Sequence, residues 1–247
     1  MTQENLVILW PAFLTGLLVL ATHVPLGRIV LDRGIVFIDL AIAQVAGLGV
    51  VAADFFGWDA NFWSVQASAV AAALAAAALL MWTERRLPAL QEAIIGVLFV
   101  FSACVEILLL SSNPHGAEHL KDLLVGQILW VSPGDLLPAL VLYIAVLGVW
   151  WFGDLRRRQG LFYAVFAVTI TASVQLVGVF LVFASLIVPA LASRAVEARR
   201  PLLCGYAVGI AGYIAGLIGS AVLDLPTGAA VVCTLVLTAA ATIAIKR

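Results

Sequence analysis

Long apolar blocks, each closed by a short polar cluster, organise this chain from end to end. A helix that crosses a bilayer needs roughly 17–25 mostly apolar residues. Seven blocks meet that length: Leu6–Thr22, Ile35–Ala53, Trp63–Trp82, Ala93–Leu110, Leu136–Phe152, Leu202–Leu223 and Ala229–Ile245. An eighth, Leu161–Ala192, is too long for one simple span and short of two. The pattern predicts an all-α fold: a polytopic transmembrane helical bundle of about 8–9 membrane segments, one domain over residues 1–247.

The basic residues lie between the blocks and give the bundle a direction, because cytoplasmic loops are enriched in Lys and Arg. Arg28 and Arg33 follow the first block, Arg85 and Arg86 the third, and Arg156, Arg157 and Arg158 the fifth. Arg194, Arg199 and Arg200 precede the penultimate block, and Lys246 and Arg247 close the chain. The turns around Asp54–Asn61 and Asp224 carry no basic residue. This alternation predicts an external N-terminus and a cytoplasmic C-terminus. Both flanks of Leu161–Ala192 then share one side, so that block goes in and comes back as a broken or re-entrant hairpin. Its break is expected near Ser173, Gln175 and Gly178. Irregular backbone at membrane depth is tolerated where it lines a cavity or is buried in protein. Gly205-x-x-x-Gly209 and Gly212-x-x-x-Gly216 in the penultimate block are close-packing signals.

Composition sharpens the class. Hydrophobic residues make up 64% of the 247 positions and charged residues 11%, with mean hydropathy +1.14. A soluble domain carries about 25% charged residues. Net charge is −1, so nothing argues for nucleic acid. The only lysines are Lys121 and Lys246, and no G-x-x-x-x-G-K-[ST] loop is present. ATP-driven work would therefore fall to a partner subunit. Cys104, Cys204 and Cys233 all sit inside apolar blocks without C-x-x-C spacing and read as packing residues. Met1–Asn5 lacks the basic residues of a cleaved signal peptide.

Polar groups inside the blocks need a reason. An ionisable side chain at the centre of a span costs about 2.5–3.5 kcal/mol on insertion scales, so it faces a partner or a watery cavity. Asp39 falls in the second block and Glu106 deep in the fourth. Each reads either as a lining group of a cation path or as a clasp between spans. Gln44, Gln66 and Gln175 are candidate interhelical hydrogen bonders, Gln66 foremost. After the fourth block, Asn113-Pro114-His115-Gly116-Ala117-Glu118-His119 holds two of the three histidines. On a helix His115, Glu118 and His119 share one face, so imidazole and carboxylate could converge on a metal ion. The alternative is a solvated helix start with Glu118 at the positive end of the dipole. Finally, Pro189–Arg200 leaves the membrane as a short basic amphipathic segment, either a docking surface or an ordinary positive-inside anchor.

Several motifs resemble one family. Val174-Gln175-Leu176-Val177-Gly178-Val179-Phe180-Leu181-Val182 followed by Leu186-Ile187-Val188-Pro189-Ala190 looks like the signature of metal-type ABC importer permeases, the zinc/manganese/iron class. Asp122-Leu123-Leu124-Val125-Gly126-Gln127-Ile128-Leu129-Trp130-Val131-Ser132 is similar to that family's Leu-Leu-Phe-Gly-x-Ile-Leu-x-Val-Ser segment, and Asp224-Leu225-Pro226-Thr227-Gly228-Ala229 to its Asp-x-Pro-x-Gly-Ala turn. The resemblance covers most of the chain in the right order.

The resemblance implies a single permease domain in a bacterial cytoplasmic membrane. It implies a second copy of the chain, cytoplasmic ATP-binding subunits and an extracytoplasmic metal-binding protein as partners. No cofactor would be held by the chain; the metal would be transported. The family's coupling segment maps onto Pro189, Arg194, Glu197, Arg199 and Arg200. One departure stands out. The family's Gly-Asp-x-x-Ser-His-Ala supplies Asp and His ligands, whereas this chain reads Ile38-Asp39-Leu40-Ala41-Ile42-Ala43-Gln44-Val45, with no histidine in either alignment. The cargo site is then expected either at the His115/Glu118/His119 loop or along Asp39, Gln44 and Glu106. The expected function is the membrane subunit of an ATP-driven importer for a divalent metal, zinc ahead of manganese or iron. The alternative is an ion-coupled secondary transporter working alone. A zinc protease is disfavoured because no H-E-x-x-H motif occurs.

Overall fold

The structure, a computed structural model, describes residues 3–57, 62–111, 124, 126, 128–196 and 199–246. Nine helices account for nearly all of these: α1 (Gln3–Arg33), α2 (Ile38–Phe55), α3 (Phe62–Arg86), α4 (Gln91–Leu110), α5 (Pro133–Phe152), α6 (Gln159–Val177), α7 (Val179–Ala195), α8 (Pro201–Leu223) and α9 (Thr227–Lys246). Short 3-10 turns at Pro88–Leu90 and Ile128–Trp130 complete the described elements. Seven of the helices are long and apolar enough to cross a membrane, and two shorter apolar ones, Leu136–Phe152 and Val179–Ala195, join them. The fold is thus the expected polytopic helical bundle.

The overlong apolar block divides at Gly178. Its φ of 80° with ψ of 162° ends α6 and starts α7, a backbone region that essentially only glycine occupies. The two arms then return to a common end. Arg156, just before α6, places Nη2 3.3 Å from an Asp32 carboxylate oxygen, and Arg194, in the last turn of α7, places Nη1 3.9 Å from the other. A straight helix of that length would part its ends by roughly 50 Å at 1.5 Å per residue. The block therefore goes out and back, as the charge alternation requires. The arms splay onto different neighbours: α6 packs mainly on α3 and α2, α7 on α1, α8 and α9.

The same end of the bundle gathers the other basic clusters. Arg33 pairs with Glu84 at 3.6 Å and reaches the carbonyls of Leu155 and Arg156 at 3.4 Å. Arg85 donates to Gln159 at 2.6 Å, and Gln159 donates to Glu84. Arg194 donates to the Leu31 carbonyl at 3.0 Å, satisfying part of the exposed C-terminus of α1.

Two sequence expectations need correcting. α1 does not stop at Thr22 but runs through Pro25 to Arg33. A proline inside a helix leaves the carbonyl four residues earlier without its donor; here the Tyr206 hydroxyl of α8 donates to that carbonyl, Ala21, at 2.9 Å. Likewise Pro189 lies inside α7 rather than ending it, and the helix carries on to Ala195. The glycines of α8 act as expected: a Cβ at Gly209 would sit 2.7 Å from Leu20 of α1, and one at Gly212 2.8 Å from the Leu235 Cα of α9.

Candidate functional site

Gln44 and Glu106 meet inside the bundle. Gln44, on the second turn of α2, is 5% exposed; Glu106, one turn before the end of α4, is fully buried. The Gln44 Nε2 donates to Glu106 Oε2, while Glu106 Oε1 has no partner among the described residues. Ala43, Gly47, Leu124, Val174 and Val179 close around the pair, leaving a cavity of about 10 Å³. That is room for a single water at most. The arrangement is an occluded polar spot with one unanswered carboxylate oxygen, walled on one side by the Gly178 break. A cation would neutralise the carboxylate there, but only after the walls part.

Asp39 is not part of that cavity. It lies in the first turn of α2, 1% exposed, with both carboxylate oxygens lacking a partner among the described residues. The positive end of the α2 dipole favours a negative group at this position. So Asp39 and Glu106 are both buried, with three carboxylate oxygens between them lacking a partner among the described residues, but they belong to separate spots. Among the described residues no three His, Cys, Asp or Glu side chains come together in a way that could hold a metal ion. His115, Glu118 and His119 lie outside the described residues, as does Glu197. Of the remaining coupling candidates, Pro189 is buried in α7, and Arg194, Arg199 and Arg200 are exposed at the basic end. Beside them Arg28, Leu31, Asp32, Ala190, Ser193, Arg194 and Pro201 line a cavity of about 220 Å³.

Gln66 and Gln175 bond to each other at 2.5 Å, which joins α3 to α6 as an interhelical clasp. Buried hydroxyl pairs do the same for other helices: Tyr143 with Ser173 at 2.7 Å and Ser185 with Tyr213 at 2.8 Å. A buried polar residue that the sequence analysis did not single out is His23. It is fully buried in α1, with Nδ1 3.2 Å from the Thr22 hydroxyl and Nε2 without a partner among the described residues. It falls just past the first apolar block as read from the sequence, Leu6–Thr22.

Two stretches, residues 5–156 and 153–246, match the ABC 3 transport family. The chain belongs to the ABC 3 transport family. As a member it is a multi-pass membrane protein of an ABC transport system. A "Probable metal transport system membrane protein" of Thermotoga maritima is 26% identical over 244 residues, spanning 90% of this chain and 84% of the relative. The solved structure "PsaBC from Streptococcus pneumoniae in complex with Fab" aligns with a TM-score of 0.76 at 20% identity, over 100% of this chain and 95% of that one. At that identity the likeness speaks to the fold.

Proposed function

We propose that this chain is the membrane permease of an ATP-driven importer for a divalent transition metal, with zinc ahead of manganese and iron. The observation that carries this reading is Glu106, a buried carboxylate with a free oxygen beside an occluded cavity, in a chain of the ABC 3 family. A buried ionisable group in a membrane bundle is retained where charge must pass or be neutralised. The Thermotoga relative's description as a metal transport protein supports the choice of cargo.

Asp39, Gln44 and Glu106 line the path in this reading, used in succession rather than as one metal cage. His115, Glu118 and His119 form an external vestibule that gathers the ion, and their imidazoles are the reason to place zinc first. Arg194, Glu197, Arg199 and Arg200, on the segment that follows the buried Pro189, form the surface on which a cytoplasmic ATPase docks. ATP hydrolysis belongs to that partner, a second copy of the chain completes the path, and an extracytoplasmic metal-binding protein delivers the ion. The gathering of basic clusters at one end of the bundle supports a cytoplasmic C-terminus and an external N-terminus.

The test is total cell zinc, manganese and iron in a deletion strain and its parent under metal limitation. A selective fall in one metal, restored by the intact gene, is expected. No change in any of the three overturns the cargo. Gradient-driven uptake by the reconstituted chain alone, without ATP, would replace the importer with an ion-coupled carrier.

A further inference from the structure

At the basic end of the bundle, on the flank of α1 and α5, lies a second cavity that the transport reading does not use. Its volume is about 250 Å³, and Ile29, Trp150, Trp151, Phe152, Asp154, Leu155 and Arg156 line it. The lining changes character along its depth. Ile29 is buried at the back, while Trp151 and Phe152 are 75% and 88% exposed at the end of the apolar helix α5. Large exposed aromatic rings at the end of a span mark the boundary between hydrocarbon and water.

The chain then turns sharply. Asp154 adopts a left-handed φ of 47°, and its carbonyl accepts the N–H groups of Arg157 at 3.0 Å and Arg158 at 3.1 Å. Arg156 lines the cavity beside the aromatic wall, and the turn at Asp154 carries Arg157 and Arg158 directly after it. Carboxylates nearby offset only part of their charge. Asp154 is held by Arg157 at 3.4 Å, and Asp32 is shared between Arg156 and Arg194. Arg158 is exposed, with no carboxylate partner among the described residues. The basic turn that follows the aromatic wall therefore carries positive charge that its neighbouring carboxylates only partly offset.

We propose that this cavity binds an anionic phospholipid, its phosphate held at the rim by Arg156 and Arg158 and its acyl chains lying along Trp151 and Phe152. Guanidinium groups bind phosphate through charge-assisted hydrogen bonds, and basic pockets between helices at the membrane surface are a known form of headgroup site. A zwitterionic headgroup would bring its own cation to the arginines and lose that attraction. The site depends on neither the cargo nor the ATPase.

The test is native mass spectrometry of the full chain, purified from micelles holding equal phosphatidylglycerol and phosphatidylcholine. The wild-type chain is expected to retain phosphatidylglycerol several-fold over phosphatidylcholine. The double variant Arg156→Gln, Arg158→Gln is expected to lose that preference, and Trp151→Ala to retain less of both lipids. Arg86→Gln, which removes a charge at the same end but away from the cavity, is expected to behave as wild type. Equal retention of the two lipids by the wild-type chain overturns the proposal. So does an Arg86→Gln loss as large as that of the double variant, since it would mean diffuse attraction to the basic end. Loss of phosphatidylglycerol to added inorganic phosphate, with no effect of Trp151→Ala, would also overturn it by showing an anion site without a lipid component.

Discussion

The Tyr206 hydroxyl donates to the Ala21 carbonyl at 2.9 Å, the acceptor that Pro25 leaves without an N–H. A residue of α8 thus repairs the break that a proline makes in α1, and lets the apolar helix continue to the Asp32 cluster. A hydrogen bond of this kind is worth about 1 kcal/mol net, and more when its loss strands a buried carbonyl. Tyr206→Phe is therefore expected to lower the melting temperature of the detergent-solubilised chain by a few degrees. Pro25→Ala in the same background should restore it, because alanine supplies the missing N–H. An unchanged melting temperature in Tyr206→Phe would show that the carbonyl does not depend on the hydroxyl.

Gly178 permits the break between α6 and α7, and Gly126 lets the chain ahead of α5 lie against it. A Cβ at Gly126 would run into the Val177 carbonyl and the Gly178 nitrogen. Replacing Gly178 by Val forces a side chain into a backbone region that costs about 1–3 kcal/mol. Gly178→Val and Gly126→Ala are each expected to fold poorly or run as a destabilised chain by the same thermal measurement. Gly96, with nothing within reach of an added Cβ, is the control and should tolerate alanine.

Glu106 is the residue most tied to the proposed path. Glu106→Gln keeps a hydrogen-bonding group of the same size beside Gln44 but removes the charge. Loss of a charged group supporting a metal typically costs about tenfold or more, so metal uptake should fall by that order while the amount of protein in the membrane stays level. Uptake at the wild-type rate would make Glu106 a clasp to Gln44 and nothing more. In the same assay, joint replacement of His115 and His119 by Ala should reduce uptake without weakening ATPase association.

Asp32 holds both flanks of the broken block. Its side chain is 46% exposed, so the ion pairs contribute less than about 1 kcal/mol in water. Asp32→Asn is expected to lower thermal stability slightly at low salt. The difference from wild type should shrink as ionic strength rises and the exposed charges are screened. A salt-independent difference would assign the effect to packing.

Much of this architecture was legible because membrane helices announce themselves by length and because their basic ends sort by side. The Gly178 break showed in sequence as a glycine among polar residues inside an overlong apolar block. The continuation of α1 did not, since the cure for Pro25 sits on Tyr206 in a distant part of the chain. Nor did the pairing of Gln44 with Glu106: either could have met any neighbour, and only helix packing chooses. Asp32, near the end of α1, carries no sequence signal of its part. Its role rests on two arginines from remote segments, a convergence that periodicity does not encode.

The turn-back at Gly178 also bears on the parity of the chain. With α6 and α7 as separate arms, the described helices number nine, an odd count, which is what the proposed external N-terminus and cytoplasmic C-terminus require. Had the block been one unbroken helix, the number would be even and both ends would emerge together. With the odd number, reporters fused at the two termini are expected in different compartments, and a protease acting from one side of sealed vesicles is expected to remove one tag and leave the other.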